Sequence, residues 1–322
     1  MDKPIPVVAP GPGAPGAGGP LGGPVDPRAA ERLKRRLRII ENMRRIRHKI
    51  IVASGKGGVG KSTVAAYLAS ALAAGGERVG LLDMDLTGPN IPTMLGVRGG
   101  ELVERDGGLV PVDAAPNLRV VSMQFLLPDP DAAIVWRGPI KMQIIGQFLG
   151  DVAWGELDYL IVDLPPGSSD EPLSVAQSIP DADGIVLVTT PQEVAVGDVR
   201  KSVAFARKLE LPVLGVVENM GGLTVRGTAA PGATVTLDAG AGTVEAKAGP
   251  DGAFEVVLDL FTPGGGEAMA KQMGVPFLGR VPFDPQVNRA GDVGGAGLIE
   301  GARAATKEAL SSIVGALRTH TR

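Results

Sequence analysis

The chain has 322 residues, of which 44% are apolar and 21% are charged, and these proportions are typical of a folded globular protein. A net charge of −3 gives no overall attraction to nucleic acid or acidic membranes, and 3% aromatic residues supply few side chains for stacking on bases. The sequence has no run of about 18 apolar residues and no signal-peptide pattern, which predicts a cytoplasmic protein without a membrane contact.

Cysteine is absent from the sequence. This excludes disulfides, and it excludes a zinc or iron–sulfur centre held by thiolates of this chain, so no iron–sulfur cluster is expected on its own cysteines. The two histidines, His48 and His320, are far apart in sequence and are predicted to be solvated side chains rather than metal ligands.

The N-terminal part of the chain divides into two segments. Residues 1–26 are mainly Pro, Gly, Ala and Val, a composition that predicts a disordered tail. Residues 27–48 are predicted to form a basic amphipathic helix, because ten Lys and Arg stand against two Glu between residues 28 and 49. Its apolar residues recur at helical spacing and are predicted to pack along the main domain; they are Leu33, Leu37, Ile40, Met43 and Ile46. Contact with nucleic acid or an anionic surface is the alternative.

A glycine-rich stretch comes next, between an apolar strand at 50–54 and a helical segment at 64–74. This order of strand, loop and helix is that of a phosphate-binding P-loop. Backbone N–H groups of the loop surround the phosphates, Lys61 contacts the β- and γ-phosphates, and the Ser62 hydroxyl binds Mg²⁺. The stretch predicts a site for ATP and Mg²⁺ formed by Gly55, Lys56, Gly57, Gly58, Val59, Gly60, Lys61, Ser62 and Thr63.

Apolar strands alternate with helical segments through most of the remaining chain. This alternation predicts an α/β fold with a mostly parallel, doubly wound sheet covered on both faces. Ligands bind such sheets at the carboxyl ends of the strands, where the P-loop, Asp85 and Asp163 all lie. The predicted strands are 78–83, 118–123, 157–163, 185–190, 213–218 and 276–281.

Acidic residues at two strand ends are candidates for metal binding and catalysis. Asp163 ends an apolar strand and is predicted to hold Mg²⁺ through a water, together with Ser62 and Asp85. Asp85 is predicted to position or deprotonate the attacking water, and Asp83 to support the loop or the outer shell of the metal. The alternative is that these aspartates cap the helices that follow.

Residues 223–260 break the α/β pattern, because their apolar residues alternate with period two between Pro-Gly and Asp-Gly turns. The segment predicts a small antiparallel β-module, a candidate docking site for a protein partner. The module would divide the ATPase domain into residues 49–222 and 261–322.

Lys56, directly after the first glycine, places two lysines in one phosphate loop. This arrangement resembles the deviant Walker A motif of the class that includes MinD, ParA and the nitrogenase iron protein. In that class the extra lysine reaches across a dimer interface to the partner's nucleotide. The resemblance implies an ATP-bound homodimer in which Lys56 stabilises transition-state charge in trans, as an arginine finger does.

Further motifs resemble those of Mrp-type ATPases, the ApbC-like iron–sulfur cluster carriers, over roughly residues 45–222 and 261–317. The resemblance implies ATP hydrolysis, a homodimer and delivery of iron–sulfur clusters to apoproteins. It also implies that Asn219 recognises adenine and that the segment from Pro282 to Asp284 walls the base. The motifs are at residues 83–90, 136–139, 158–172, 217–220 and 279–285.

One departure from the Mrp pattern affects the predicted cargo. Mrp-type carriers have a Cys-x-x-Cys after the Glu-Asn-Met segment, whereas Glu218-Asn219-Met220 here leads into the cysteine-free β-module. The first hypothesis is therefore a Mg-dependent dimeric ATPase of the Mrp family that takes part in cluster assembly without cluster-ligating cysteines. The alternative hypothesis is a MinD/ParA-like positioning or partitioning ATPase that acts through DNA, a surface or a protein.

Overall fold

A computed structural model of the protein describes residues 27–85, 88–126, 138–167, 170–238, 242–259, 265–287, 289 and 301–321. Within these ranges the chain forms a nine-stranded sheet flanked by helices and two small antiparallel sheets, so the predicted α/β class with a mostly parallel sheet is confirmed. The predicted tail, 1–26, lies outside the described residues. So do parts of the quoted motifs, namely residues 86–87, 136–137 and 168–169.

The helices are α1 (Pro27–Met43), α2 (Lys61–Ala74), α3 (Ile91–Met94), α4 (Gly138–Gly150), α5 (Asp170–Ser178), α6 (Glu193–Lys208), α7 (Gly265–Met273) and α8 (Ala304–His320). The strands are β1 (Ile46–Ser54), β2 (Val79–Asp83), β3 (Val103–Arg105), β4 (Gly108–Val110), β5 (Val112–Ala115), β6 (Leu118–Ser122), β7 (Leu157–Asp163), β8 (Gly184–Thr189), β9 (Val213–Thr228), β10 (Thr234–Asp238), β11 (Thr243–Lys247), β12 (Ala253–Leu258) and β13 (Phe277–Phe283). In the described ranges, no helix combines the length and apolar composition that crossing a bilayer requires.

The large sheet has the strand order β12-β9-β8-β1-β7-β2-β6-β5, and β13 also pairs with β9. The central strands β1, β2, β7 and β8 are parallel and almost completely buried. Alternate side chains of a strand point to opposite faces, so Ile51 packs into one hydrophobic core and Ile50 into the other. The carboxyl ends of these strands consequently meet along one edge of the sheet, called the carboxyl edge below.

The β-module is joined to the sheet by β9, which has 16 residues and continues beyond the carboxyl edge. Its first part pairs in parallel with β8 and β13, and its last part, Leu223–Thr228, pairs with β12 in the antiparallel direction. The predicted boundary after residue 222 therefore lies inside a strand. The two-stranded sheet of β10 and β11 completes the module in the described part of the chain.

The basic helix is shorter than the predicted segment 27–48. α1 ends at Met43, and residues from Ile46 onward belong to β1, because Ile46 pairs with Leu157 at the start of β7. The predicted apolar stripe does not all pack inward. Leu33 and Leu37 are 59% and 56% exposed, whereas Ile39 and Met43 are buried.

α1 packs on α4 at a surface that two glycines leave open. A Cβ added at Gly146 would lie 2.7 Å from Cδ of Arg35, and one added at Gly150 would lie 3.3 Å from Cγ1 of Ile39. The Asn42 side chain donates two 2.9 Å hydrogen bonds to the carbonyls of residues 149 and 152, which satisfies backbone acceptors at the end of α4. α1 is thus fixed to α4 by side chains that pack over two glycines and by the hydrogen bonds of Asn42, rather than by Leu33 and Leu37.

His48 differs from its prediction as a solvated side chain. Its Nδ1 lies 3.0 Å from Oδ1 of Asp183, its ring stacks on Tyr159 with centroids 5.0 Å apart, and its side chain is only 14% exposed. The reason is that His48 belongs to β1 and not to the end of a solvated helix. His320 is exposed, and the described residues contain no group of three or more His, Asp or Glu side chains that could hold a metal.

The contact between α1 and α4 can be tested with Gly146→Leu. We expect the larger side chain to collide with the Arg35 stem and release α1, so trypsin should cut the arginine-rich helix at least about tenfold faster than in the unaltered protein. The measurement is the rate of limited proteolysis followed by mass spectrometry. Gly315→Leu, at an exposed α8 position where an added Cβ meets no atom within 4 Å, is the matched control. Equal cleavage rates in both variants would contradict the proposed packing.

Candidate functional site

The glycine-rich loop connects the end of β1 at Ser54 to the start of α2 at Lys61. Gly58 and Gly60 both have a φ of 79°, in the left-handed region that residues with a side chain rarely adopt. A Cβ at position 60 would also lie 2.1 Å from Nδ2 of Asn219. Glycine at position 60 is therefore required by the backbone conformation and by the lack of space. The N-terminus of α2 adds its N–H groups to those of the loop, as anion binding requires.

Lys61, Ser62 and Asp163 contact one another where the loop meets the end of β7. Lys61 Nζ is 2.7 Å from Asp163 Oδ1 and donates a 3.1 Å hydrogen bond to Ser62 Oγ. Ser62 Oγ in turn donates a 2.6 Å hydrogen bond to Asp163 Oδ2. Asp163 is completely buried and Lys61 is 5% exposed. The structure thus brings together the loop lysine, the candidate metal hydroxyl and the candidate metal carboxylate.

Asp83 and Asp85 lie beside this cluster at the end of β2. The buried carboxylate of Asp83 accepts hydrogen bonds from Ser122 Oγ at 2.8 Å and from the N–H of Asp85 at 3.1 Å. Asp85 Oδ1 accepts a 3.3 Å hydrogen bond from the N–H of Gly88. Asp83 therefore orients the backbone that carries Asp85. Ser122 was missed by the sequence analysis, because a serine at a strand end gives no signal of this contact.

The electrostatics of the cluster favour a bound cation. Burial, followed by the charge of Asp163, raises the pKa of Asp83 to about 7. Burial also raises the pKa of Asp163, while the charge and hydrogen bond of Lys61 lower it. Three carboxyl groups, including that of Asp85, lie around one ammonium group, but they are not arranged as a metal-binding group of three in the described residues, and the pair in direct contact is Ser62 and Asp163. Carboxylate and hydroxyl oxygens are ligands that Mg²⁺ prefers, so this donor set fits Mg²⁺.

Lys56 is placed differently from Lys61. Its side chain is half-buried and makes no hydrogen bond or ion pair with the described residues. Its carbonyl accepts a 2.9 Å hydrogen bond from Ser54 Oγ. The preceding Gly55 packs tightly on α6, since an added Cβ would lie 2.5 Å from the carbonyl oxygen of Asp198. The backbone at Lys56 is therefore held, while its ammonium group has no partner in the part of the chain that the structure describes.

Asn219 contacts the loop from β9. Its side chain is 6% exposed, and Nδ2 donates a 3.0 Å hydrogen bond to the carbonyl of Val59. The next residue, Met220, has a φ of 59°, so the strand backbone bends immediately after this contact. The structure shows Asn219 as a tie between β9 and the loop, and its recognition of adenine stays a prediction.

Asp284 follows β13, is buried, and accepts hydrogen bonds from other parts of the chain. Its carboxylate accepts hydrogen bonds from the N–H of Arg303 at 2.7 Å and from Thr306 Oγ1 at 2.9 Å, at the start of α8. It also accepts a 3.0 Å hydrogen bond from the N–H of Gln286. Asp284 therefore caps the start of α8, and Pro282 beside it is half-buried. That this segment walls the base stays a prediction.

A buried ion pair next to Asn219 was missed by the sequence analysis. Glu218 is completely buried, Oε1 lies 2.7 Å from Arg280 Nε, and Oε2 accepts a 2.7 Å hydrogen bond from the N–H of Gly266 at the start of α7. The signal that could have revealed it is an acidic residue at the end of an otherwise apolar strand. This pair joins β9, β13 and α7 behind the loop.

Sequence comparison places the chain among known proteins. Residues 45–246 match the family model described as the NUBPL iron-transfer P-loop NTPase. The chain belongs to this family. It is 45% identical over 257 residues to an iron-sulfur cluster carrier protein of Methanocaldococcus jannaschii, with 80% of each chain covered. It is 46% identical over 258 residues to one of Saccharolobus solfataricus, covering 80% of this chain and 78% of that protein.

Comparison with solved structures agrees with the family. A nucleotide-binding protein from Archaeoglobus fulgidus in complex with ADP has 35% identity and a TM-score of 0.63, and the match covers 81% of this chain and 92% of that one. The cell division ATPase MinD of Pyrococcus furiosus has 23% identity and a TM-score of 0.57, covering 85% and 99%. The second likeness shows a common fold only.

Two glycine substitutions separate backbone strain from collision in the loop. Gly58→Ala should lower the free energy of unfolding by about 1–2 kcal/mol, because alanine is strained in the left-handed region and nothing lies within 4 Å. Gly60→Ala should cost about 1 kcal/mol more, since it also displaces the Asn219 hydrogen bond. Denaturant unfolding gives both values. In a protein that already carries Asn219→Ala, Gly60→Ala should no longer show this extra cost, because the hydrogen bond that it displaces is already absent. Equal losses for the two glycine variants would refute this reading of the loop.

Proposed function

We propose that this family member is a Mg²⁺-dependent ATPase that acts as a homodimeric switch in iron–sulfur cluster transfer. The observation that carries the proposal is the contact of Lys61, Ser62 and Asp163 at a loop with two lysines. Support also comes from the relatives at about 45% identity, which are named iron-sulfur cluster carrier proteins, and from the ADP complex of the Archaeoglobus fulgidus protein.

The phosphate chain of ATP would lie in the loop. The N–H groups from Gly57 to Thr63 are proposed to donate hydrogen bonds to this anion, and Lys61 to contact the β- and γ-phosphates. Ser62 and Asp163 would hold Mg²⁺, Asp163 through a water, with Asp85 nearby. The ion would supply positive charge that offsets the negative charge developing during phosphoryl transfer. Asn219 and the segment from Pro282 to Asp284 are proposed to lie beside the adenine.

Hydrolysis needs a water aligned with the γ-phosphorus. Asp85 is proposed to accept a hydrogen bond from this water and to orient it, because Asp83 fixes the backbone N–H of Asp85. The water oxygen forms a bond to the γ-phosphorus, the bond from that phosphorus to the β–γ bridging oxygen breaks, and ADP and phosphate leave. Lys56 of a second subunit would stabilise the charge on the transferred group, which fits its uncommitted ammonium.

The iron–sulfur part of the proposal requires a partner that supplies the ligands. The chain has no cysteine, so its own thiolates cannot hold a cluster during transfer. The role proposed for it is therefore an ATP-driven switch that acts on cluster-carrying proteins. The β-module, which follows the Glu218-Asn219-Met220 segment, is the surface proposed to contact such proteins.

The two loop lysines should respond differently to alanine substitution. Lys61→Ala should weaken ATP binding at least about 100-fold, because it removes a charge paired with phosphate and with buried Asp163. Lys56→Ala should leave the Kd for ATP within about threefold but lower kcat about 1000-fold, as expected for a charge that acts in the transition state. Calorimetry and phosphate release measure the two quantities.

Lys271→Ala on α7 is the control for these lysine variants, because Lys271 is exposed and lies outside the site. It should leave both the Kd and kcat unchanged. A parallel loss of ATP binding in the Lys56 and Lys61 variants would rule out a role for Lys56 in trans.

Anaerobic reconstitution with iron and sulfide tests whether this chain binds an iron–sulfur cluster. We expect visible absorption no higher than that of a cysteine-free control protein, because no thiolate is present to hold the cluster. A cysteine-containing carrier of this family, treated in parallel, should develop the cluster absorption. If the present chain develops a stoichiometric cluster absorption, the proposal that it acts as a switch without binding a cluster is wrong.

A further inference from the structure

Strand β12 lies on the side of β9 that faces the P-loop. At Leu223, β9 pairs with Phe283 of β13 and also with Leu258 of β12, so these two strands occupy opposite edges of β9. Further back along β9, the edge opposite β13 is occupied by β8. β12 therefore continues the position of β8 beyond the carboxyl edge, and its second edge is directed to the side of β1 and the loop.

Among the described residues no strand pairs with this second edge of β12, and at its start the carbonyl of Ala253 accepts a 2.8 Å hydrogen bond from the N–H of Gly249 in the turn after β11. The strand reads Ala-Phe-Glu-Val-Val-Leu and contains no proline, no lysine and no register shift in its pairing with β9, so it lacks the features that usually protect a free edge. Its one charged residue, Glu255, is neutralised by Arg226 on β9. Val257 is 48% exposed and packs over Gly222. Beyond Ala253 the edge is thus apolar, neutral and competent to pair.

The position of this edge is held relative to the nucleotide site. Asn219 ties β9 to the loop, and Glu218 ties it to α7 and to Arg280. The guanidinium of Arg303, which lies between capping residue Asp284 and the module, donates a hydrogen bond to the carbonyl of Thr224. The module is therefore fixed to the core at both ends of the bend in β9, and a subunit that approaches the loop also meets β12.

We propose that the edge of β12 is part of the homodimer interface and pairs with β12 of a second copy of this chain. This inference rests on the proposed function, because the second copy is the one that Lys56 requires across the same face. A neutral strand meets no charge repulsion from its own copy, and identical strands related by a two-fold axis pair in the antiparallel direction. The dimer is thus closed by a strand pair at the module.

Single-cysteine crosslinking tests the pairing directly, because the chain has no other cysteine. Val257→Cys and Glu255→Cys, alone and as a 1:1 mixture, are treated with a short bis-maleimide in the presence of a non-hydrolysable ATP analogue. At least one sample should give a crosslinked dimer on a denaturing gel, since paired strands place facing residues about 5 Å apart. Val103→Cys, exposed on the β3–β4 hairpin, is the control and should stay monomeric.

A charge at the proposed interface should weaken the dimer. Val257→Lys should raise the dissociation constant of the ATP-bound dimer at least about tenfold, because it places an unpaired charge where two apolar strands meet. Val103→Lys makes the same substitution at a comparably exposed position and should leave dissociation unchanged. Sedimentation with the ATP analogue measures both, and circular dichroism confirms that each variant is folded.

The results separate this inference from the proposed function. If the unaltered protein dimerises with ATP, but no cysteine sample crosslinks and Val257→Lys dimerises normally, the β12 contact is wrong and the ATPase dimer stands. If the unaltered protein binds ATP and stays monomeric, the dimer itself fails, and the strand pairing fails with it. A crosslink with loss of dimer in Val257→Lys supports both.

Discussion

The buried ion pair between Lys61 and Asp163 is the contact on which the nucleotide site depends. Removing a carboxylate from water costs several kcal/mol, and here the ammonium of Lys61 and the hydroxyl of Ser62 offset that cost. Asp163 is placed by the register of β7, which pairs it with Val52 on β1 and Asp83 on β2. A shift of one residue would turn its carboxylate to the opposite face of the sheet. The register of the sheet therefore sets the geometry of the site.

β9 connects the site to the β-module. Glu218 and Asn219 are adjacent on it, and one anchors α7 and Arg280 while the other holds the carbonyl of Val59 in the loop. Because the strand continues without a break into the part that pairs with β12, a displacement of the module acts on a backbone that already contacts the loop. The fold thereby links the β-module to the phosphate loop.

The basic helix shows where pattern reasoning fails. The spacing of Leu33, Leu37 and Ile40 correctly indicates an amphipathic helix, but periodicity does not reveal which surface the helix meets. Gly146 and Gly150 leave space on α4 in which the side chains of Arg35 and Ile39 pack. α1 consequently turns Ile39 and Met43 inward and leaves the leucine stripe exposed. Packing density, a property of two surfaces together, decided the orientation.

Local spacing and residue type were enough to predict the alternation of apolar strands and helices, the phosphate loop and the acidic strand ends. From these followed the parallel sheet and the neighbourhood of Lys61, Ser62 and Asp163. Contacts between distant segments, such as Asn219 on the loop and Asp284 on the start of α8, became visible only in the folded chain. These depend on three-dimensional register, which one-dimensional spacing does not contain.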